Sequence, residues 1–158
     1  MTKQPIIIIV GMTKDRLIGK GNELPWHISD DLKHFKRQTT GNTVLMGHNT
    51  YLSLKRPFLP NRHNIVISPT LESNENLIVC KSLDEALAEG NKLGKPIFIM
   101  GGAYTYEHAL SYADYLYISW VKKDYEGDIY FPIFDLDYWT KESSEDYDEF
   151  VFVKYKRS

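Results

Sequence analysis

Cysteine is almost missing from this chain: Cys80 is the only one among 158 residues. No disulfide can form within it, and that usage suits a reducing compartment. Cys80 lies in an apolar run and reads as a packed small residue rather than a nucleophile. Zinc-type spacing is also lacking, because one thiol and five scattered histidines form no ligand cluster. His27, His34, His48, His63 and His108 are read as surface or capping residues. Nor is there an excess of one charge, and a net charge of −2 leaves no basic stripe for nucleic acid. No apolar run approaches the roughly 18 residues of a membrane span, and residues 6–10 are too few for a signal segment. A soluble, cytoplasmic protein is therefore expected. Gly-x-Gly-x-x-Gly, Gly-x-Ser-x-Gly and the Walker loop are all absent, which argues against the usual dinucleotide fingerprint, a hydrolase elbow and a phosphate-loop enzyme.

A hydrophobic content of 42% and a charged content of 25% are those of an ordinary globular protein. The length suits one compact domain, residues 1–158, and no repeat, low-complexity tract or linker divides it. Residues 6–10, Ile-Ile-Ile-Ile-Val, are continuous and β-branched, as in a central strand covered on both faces. Gly11 is expected to end that strand, and residues 17–25 to form a long, exposed loop. Further strands are read at residues 43–47, 64–68, 77–80, 97–100, 115–121 and 150–155. Helices are read from residue 29, at 48–54, from 83 and at 103–111. Ser82 and Glu85 have capping-box spacing at the third of these helices. Strands alternate with helices and then give way to a strand-rich tail. The class is α/β, a mostly parallel sheet with an antiparallel C-terminal end.

Two stretches carry chemistry. Ser29 is placed to cap a helix whose first turn holds Asp30 and Asp31, and both carboxylates have an ordinary place at the positive end of a helix dipole. Helical phase separates them. Ile28, Leu32, Phe35 and Thr39 form one stripe, with Asp31 about 55° from its centre and Asp30 about 155° away at 100° per residue. Asp31 thus flanks the apolar face close to Trp26, where a carboxylate must be paired or carry a shifted pKa. Phase alone leaves a structural and a functional role open. In the second stretch, Gly101-Gly102 follows a buried strand and precedes a helix, which suits either tight packing or a backbone that approaches a phosphate. The strand–Gly47–helix junction has the same form. Arg56 and Arg62 flank a Pro-framed turn. One half-buried acid, two arginines, an aromatic-rich sheet edge and two such junctions fit a small polar aromatic ligand with an acidic tail, plus a phosphorylated cofactor.

These pieces occur in an order that resembles bacterial dihydrofolate reductase over essentially the whole length. They are Asp15-Arg16-Leu17-Ile18-Gly19 through Leu24-Pro25-Trp26, Asp31-Leu32-x-x-Phe35-Lys36, Val44-Leu45-Met46-Gly47, Thr50, Arg56-Pro57, Arg62-x-x-Ile65-Val66-Ile67-Ser68, Gly101-Gly102-Ala103-x-x-Tyr106 and Glu126-Gly127-Asp128-x-x-Phe131-Pro132. The resemblance implies a three-layer fold with a central mixed eight-stranded sheet and four helices. It implies NADPH-dependent reduction of 7,8-dihydrofolate to tetrahydrofolate, with hydride passing from nicotinamide C4 to pterin C6 and a proton reaching N5. Asp31 would bind the pterin and, with Trp26, support that protonation, while Ser119 would hydrogen-bond Asp31. Ile9 and Met100 would offer backbone carbonyls to pterin donors or to antifolates. Val10, Leu32, Phe35, Leu54, Tyr106 and either Phe58 or Leu59 would line the pocket. Arg62 would clamp the glutamate tail, with Arg56 on the same rim.

On the cofactor side the resemblance assigns Gly11, the loop Leu17, Ile18, Gly19, Lys20, Gly21, Asn22 and Glu23, then Gly47, His48, Asn49, Thr50, Ser68, Pro69 and Lys81. It adds Gly101, Gly102, Ala103, Tyr104, Thr105 and Tyr106, with a cis bond between the two glycines. The loop before Trp26 resembles the family's mobile lid. One departure is His48, where many relatives carry an Arg against cofactor phosphates. Recognition of the 2′-phosphate would then rest on Asn49 and Ser68, with nearby His63 or Lys81, and with weaker preference for NADPH over NADH. No metal is implied, and a monomer is expected. The alternatives are a reductase of another heterocycle on this fold, such as a pyrimidine of riboflavin synthesis, and a non-catalytic nucleotide-binding module. Asp31 with Trp26, and Arg62 for a glutamate tail, speak against the first; Asp31, Trp26 and Gly101-Gly102 speak against the second.

Overall fold

The computed structural model describes residues 3–21 and 23–158. Its strands are β1 (Ile6–Thr13), β2 (Leu17–Gly19), β3 (Thr43–Gly47), β4 (His63–Ile67), β5 (Ile78–Cys80), β6 (Ile97–Ile99), β7 (Tyr115–Val121), β8 (Ile129–Tyr130), β9 (Trp139–Asp146) and β10 (Phe150–Arg157). The helices are α1 (Ser29–Thr39), α2 (His48–Ser53), α3 (Leu83–Lys92) and α4 (Ala103–Ala109), and a 3-10 turn covers Leu136–Tyr138.

Eight strands form one sheet in the order β5-β4-β3-β6-β1-β7-β10-β9. The five pairings from β5 to β7 are parallel, and β10 lies antiparallel to both β7 and β9. The expected mixed sheet with an antiparallel end is what forms, and the pattern of β1 explains why. Successive strand residues point to opposite faces. Ile6, Ile8, Val10 and Met12 enter one core with Leu45, Ile65, Ile97 and Ile99, covered by Leu87 of α3 and Ala109 of α4. Ile7 and Ile9 enter a second core with Val44, Met46, Val66 and Phe98, against which Phe35 of α1 and Tyr51 of α2 pack. A strand sandwiched between two helical layers needs apolar residues at every position, hence four isoleucines in a row.

Five local expectations need correction. Gly11 does not end β1, which continues to Thr13 in register with Val121 of β7. The loop after it is not irregular throughout: Leu17 and Ile18 are buried, and β2 pairs with β8. Ser29 is the first helical residue rather than the cap; Ile28 holds the capping position in extended conformation and offers no side-chain bond. On α1, Leu32 is 48% exposed and His34 only 2%, so the buried side of the helix is rotated from the predicted stripe. Leu32 faces a cleft, whereas His34, expected at the surface, packs under the helix on β10. Finally, β9 is absent from the strands read in the sequence, because only Trp139 of its eight residues is buried and the strand forms the sheet's edge. Half of the capping box forms at α3, where Ser82 Oγ accepts from Glu85 N at 3.1 Å; the Glu85 carboxylate reaches one residue past the cap and accepts from Lys81 N, also at 3.1 Å.

Candidate active site

Open parallel sheets leave their crevice at the carboxyl ends of the strands. Here a cleft of about 1110 Å³ runs past Ile9, Val10 and Gly11 of β1, Gly47 at the end of β3, and Met100 just beyond β6. Helix α1 forms one wall, while α2 and the start of α4 form the other.

The α1 wall is built from reactive side chains. Asp31 comes off the first helical turn, and Ser119 Oγ on β7 donates to its Oδ1 at 2.7 Å. Burial pushes the Asp31 carboxyl up from its ordinary value, and the Ser119 bond pulls it part of the way back. Trp26 is 6% exposed beside it, tilted against Tyr125 at 5.5 Å, with its indole Nε1 lacking a protein acceptor. Gly11 is what lets the acid sit so close to the sheet: a Cβ on it would stand 3.2 Å from Asp31 Oδ2 and 3.5 Å from Trp26. The pocket continues over Leu32, Phe35, Leu54 and Leu59; of the Phe58–Leu59 alternatives it is Leu59 that lines it.

Two cations stand at the far end of this wall. Arg62 donates from Nε to Pro60 O and from Nη1 to Thr39 Oγ1, both at 3.0 Å, so the last turn of α1 holds the guanidinium in a set plane. Burial and then the neighbouring Arg56 pull its pKa down, which marks a site where an anion is favoured. Arg56 itself is exposed and lines the same end.

The opposite wall is mostly backbone. The Gly101–Gly102 bond is cis, as the resemblance implied, and Gly101 has φ +135°, closed to ordinary side chains. Gly47 N donates to Gly101 O at 2.9 Å, joining the ends of β3 and β6. A Cβ on Gly47 would meet Thr105 Oγ1 at 2.9 Å, and one on Gly101 would meet Thr50 Oγ1 at 3.0 Å. Tyr106, buried on α4, donates from its hydroxyl to the Ile9 carbonyl at 2.8 Å. One of the carbonyls expected to serve a ligand is thus already half used. Burial drives the Tyr106 phenol far above its usual range, keeping it a donor.

His48 and Ser68 are joined rather than offered separately. Ser68 Oγ accepts from Thr70 N at 3.2 Å and Leu71 N at 3.1 Å, so its single proton goes to His48 Nδ1, 2.8 Å away. The His48 ring, which lines the cleft, therefore carries its hydrogen on Nε2. Ser68 is 2% exposed and lies outside the cleft lining, which corrects its expected direct contact. Pro69, Lys81 and His63 are exposed but also stand off the cleft.

The loop over the mouth is tied down. Lys20 and Glu23 exchange backbone hydrogen bonds at 2.8 and 3.2 Å, Gly21 N donates to Asp128 Oδ1 at 2.9 Å, and Asp128 N donates to Gly19 O at 3.0 Å. Ile18, Gly19, Gly21 and Glu23 line the cleft. Leu17 does not, because its side chain is buried in the core, and Lys20 faces a smaller hollow beside Tyr125. Asn22 lies outside the described residues. Sequence reasoning passed over Leu24, Lys36, Ser53 and Ile129, which also border the cleft; their signals were an apolar residue in a polar loop and a basic residue one turn beyond the acid.

A family profile for dihydrofolate reductase matches residues 5–157. The dihydrofolate reductase of Bacillus subtilis is 39% identical, covering 97% of this chain and 96% of that one. The Staphylococcus aureus enzyme is 36% identical over 87% and 84% of the two chains. A solved dihydrofolate reductase from Enterococcus faecalis, complexed with NADP(H) and RAB-propyl, superposes with a TM-score of 0.86 at 30% identity, covering 99% of this chain and 98% of that one.

Proposed function

This chain belongs to the dihydrofolate reductase family and catalyses NADPH-dependent reduction of 7,8-dihydrofolate to 5,6,7,8-tetrahydrofolate; we propose that Asp31 is the residue on which that chemistry turns. The observation that carries this reading is the geometry of Asp31 itself: a carboxylate drawn inside a largely apolar cleft, bonded to Ser119, with its pKa raised by burial. Such an acid can hold the amino and ring N–H donors of a pterin, and burial makes it readier to take up a proton than an exposed aspartate.

The other wall fits the cofactor. Three glycines line it, packed so closely on Thr50 or Thr105 that a side chain on any of them would crowd these threonines, so the wall presents bare backbone to a ligand. Bound NADPH supplies the hydride, delivered from nicotinamide C4 to pterin C6 as N5 is protonated. The chain's own work is alignment and exclusion of water. Leu32, Phe35 and Leu54 flank the substrate's rings, Trp26 closes the floor beside Asp31, and the loop held by Asp128 covers the mouth. Arg62, with Arg56 behind it, takes the carboxylate of the glutamate tail, a pairing a fixed guanidinium makes with two parallel bonds. His48, with Asn49 and Thr50 beside it, faces the phosphate end of the cofactor through Nε2–H. Antifolates would occupy the Asp31 end in place of the pterin.

We further take residues 1–158 as one domain acting as a cytoplasmic monomer. The continuous eight-stranded sheet and the family match across residues 5–157 support the first part. No helix among the described residues is long and apolar enough to cross a membrane. Light scattering of the purified chain tests the monomer.

The deciding experiment follows NADPH oxidation with and without dihydrofolate in wild type and in Asp31→Asn. Folate-dependent oxidation is expected in wild type and to fall by about 100- to 1,000-fold in the variant, the range for loss of a positioned acid. Full activity in Asp31→Asn would remove Asp31 from the mechanism.

A further inference from the structure

Asp31 is not the only titratable group that α1 buries. His34 follows it by three residues, so the two side chains leave the same flank of the helix about 5–6 Å apart. Each rests on one member of a cross-strand pair. Asp31 takes the hydrogen bond of Ser119 on β7, and the His34 imidazole sits against Phe152 on β10 with ring centroids 3.9 Å apart and planes at 61°. Ser119 and Phe152 are directly opposite one another in the β7–β10 ladder. A single turn of the helix is thereby docked on a single rung of the sheet.

The surroundings do not call for a histidine as filler. The ring is 2% exposed, with Phe150 at 6.4 Å and Tyr147 at 6.0 Å, and neither ring nitrogen has a hydrogen-bond partner. An apolar ring would fill such a pocket without stranding two polar atoms. Protonation fits it worse still. Burial, Arg37 on α1 and Lys154 on β10 all disfavour an imidazolium, against Glu145 on β9 alone, and Tyr147 on the hairpin is held un-ionised. His34 also borders the cleft that Asp31 faces.

We propose that His34 is a positioning residue for the reaction: its neutral imidazole, wedged between α1 and Phe152, holds the helix at the height where Asp31 meets Ser119. The inference rests on the role given to Asp31 above. A proton on His34 places a cation against the aromatic seat and beside Arg37 and Lys154, lifts the helix from β10, and draws Asp31 away from its working position. Activity then carries an acid limb that belongs to His34 and an alkaline limb that belongs to Asp31.

The test is the profile of kcat/KM for dihydrofolate from about pH 5 to about pH 9 in wild type, His34→Phe, Lys154→Met and Asp31→Asn, with a thermal melt of each. Wild type is expected to fall on both sides. His34→Phe should lose the acid limb while kcat and KM near pH 7 stay within about twofold, since an apolar ring keeps the seat on Phe152 and cannot take up a proton. Lys154→Met removes one opposing cation, so its acid limb should move toward neutral pH with activity near pH 7 unchanged. A His34→Phe profile that superimposes on wild type, or an acid limb that stays in place in Lys154→Met, overturns the inference. Should His34→Phe fail to melt cooperatively, Lys154→Met decides alone. An active Asp31→Asn defeats the reading of Asp31 instead, whereas an inactive one with unmoved limbs elsewhere defeats only His34.

Discussion

The two walls of the cleft are made of different materials. The α1–β7 wall works through functional groups: a carboxylate, a hydroxyl, an indole and, at its far end, a guanidinium fixed on Thr39. The α2–α4 wall works through their absence, with Gly47, Gly101 and Gly102 lining the cleft as bare backbone packed closely on Thr50 and Thr105. A pterin presents a few donors at particular angles, so its recognition needs acceptors of defined charge. A dinucleotide presents a long phosphate-bearing strip, and recognition needs close approach of backbone. One wall should therefore break when its chemistry changes at constant shape, and the other when its shape changes at constant chemistry.

Asp31→Asn is the strongest form of the first case, since it keeps the shape and removes the charge. Beyond the activity loss already described, it should raise stability. The native carboxyl is shifted above its unfolded value of 3.8, so ionisation penalises the folded state, and that penalty grows as pH rises through the native pKa. Melts at neutral pH should show Asp31→Asn higher than wild type, with the gap closing below about pH 3.8.

Next comes Arg62→Leu. In the proposed role its guanidinium pairs a carboxylate remote from the reacting atoms, so binding should suffer uniformly in ground and transition states. KM for dihydrofolate should rise by about 10- to 100-fold with kcat nearly unchanged. A matching fall in kcat would place Arg62 in the chemistry instead.

A pair of one-carbon additions sharpens the comparison itself. In Gly101→Ala the new methyl meets Thr50 at 3.0 Å from a backbone φ of +135°, and KM for NADPH should rise about tenfold with that for dihydrofolate little altered. In Gly11→Ala it meets Asp31 Oδ2 at 3.2 Å, and the loss of similar size should fall on dihydrofolate. Equal effects of either change on both ligands would show that the walls are not separable.

The smallest effect is at His48. Its Nδ1 is committed to Ser68, leaving one donor where a guanidinium offers a fork. His48→Arg should raise the ratio of kcat/KM for NADPH over NADH by a few-fold, about 1 kcal/mol or less for an exposed charge pair. No gain would mean that Asn49 and Thr50 already supply the discrimination.

Much of this is legible in the sequence. The four isoleucines of β1 and the apolar run of β3 announced a doubly covered sheet, and helical phase picked Asp31 over Asp30. The glycines at the ends of β3 and β6 announced a close approach. What escaped was whatever a neighbour decides. β9 is a strand because β10 pairs with it, not because its own residues alternate. His34 looked like a surface residue because nothing in α1 discloses Phe152 beneath it. Ser68 looked like a ligand contact because the sequence does not show the two backbone amides and the His48 ring that occupy its oxygen.

The sequence by itself determined seven of the sheet's eight strands, the four helices and the kinds of groups that the cleft could hold, because burial periodicity and glycine placement act over a few neighbouring residues. Only the tertiary structure decided which groups meet. Ser119 lies 88 positions from Asp31, Tyr106 lies 97 from Ile9, and Asp128 lies 107 from Gly21. The directions in which a carboxyl or a hydroxyl is satisfied, and hence its pKa and its use, depend on partners that local pattern does not encode.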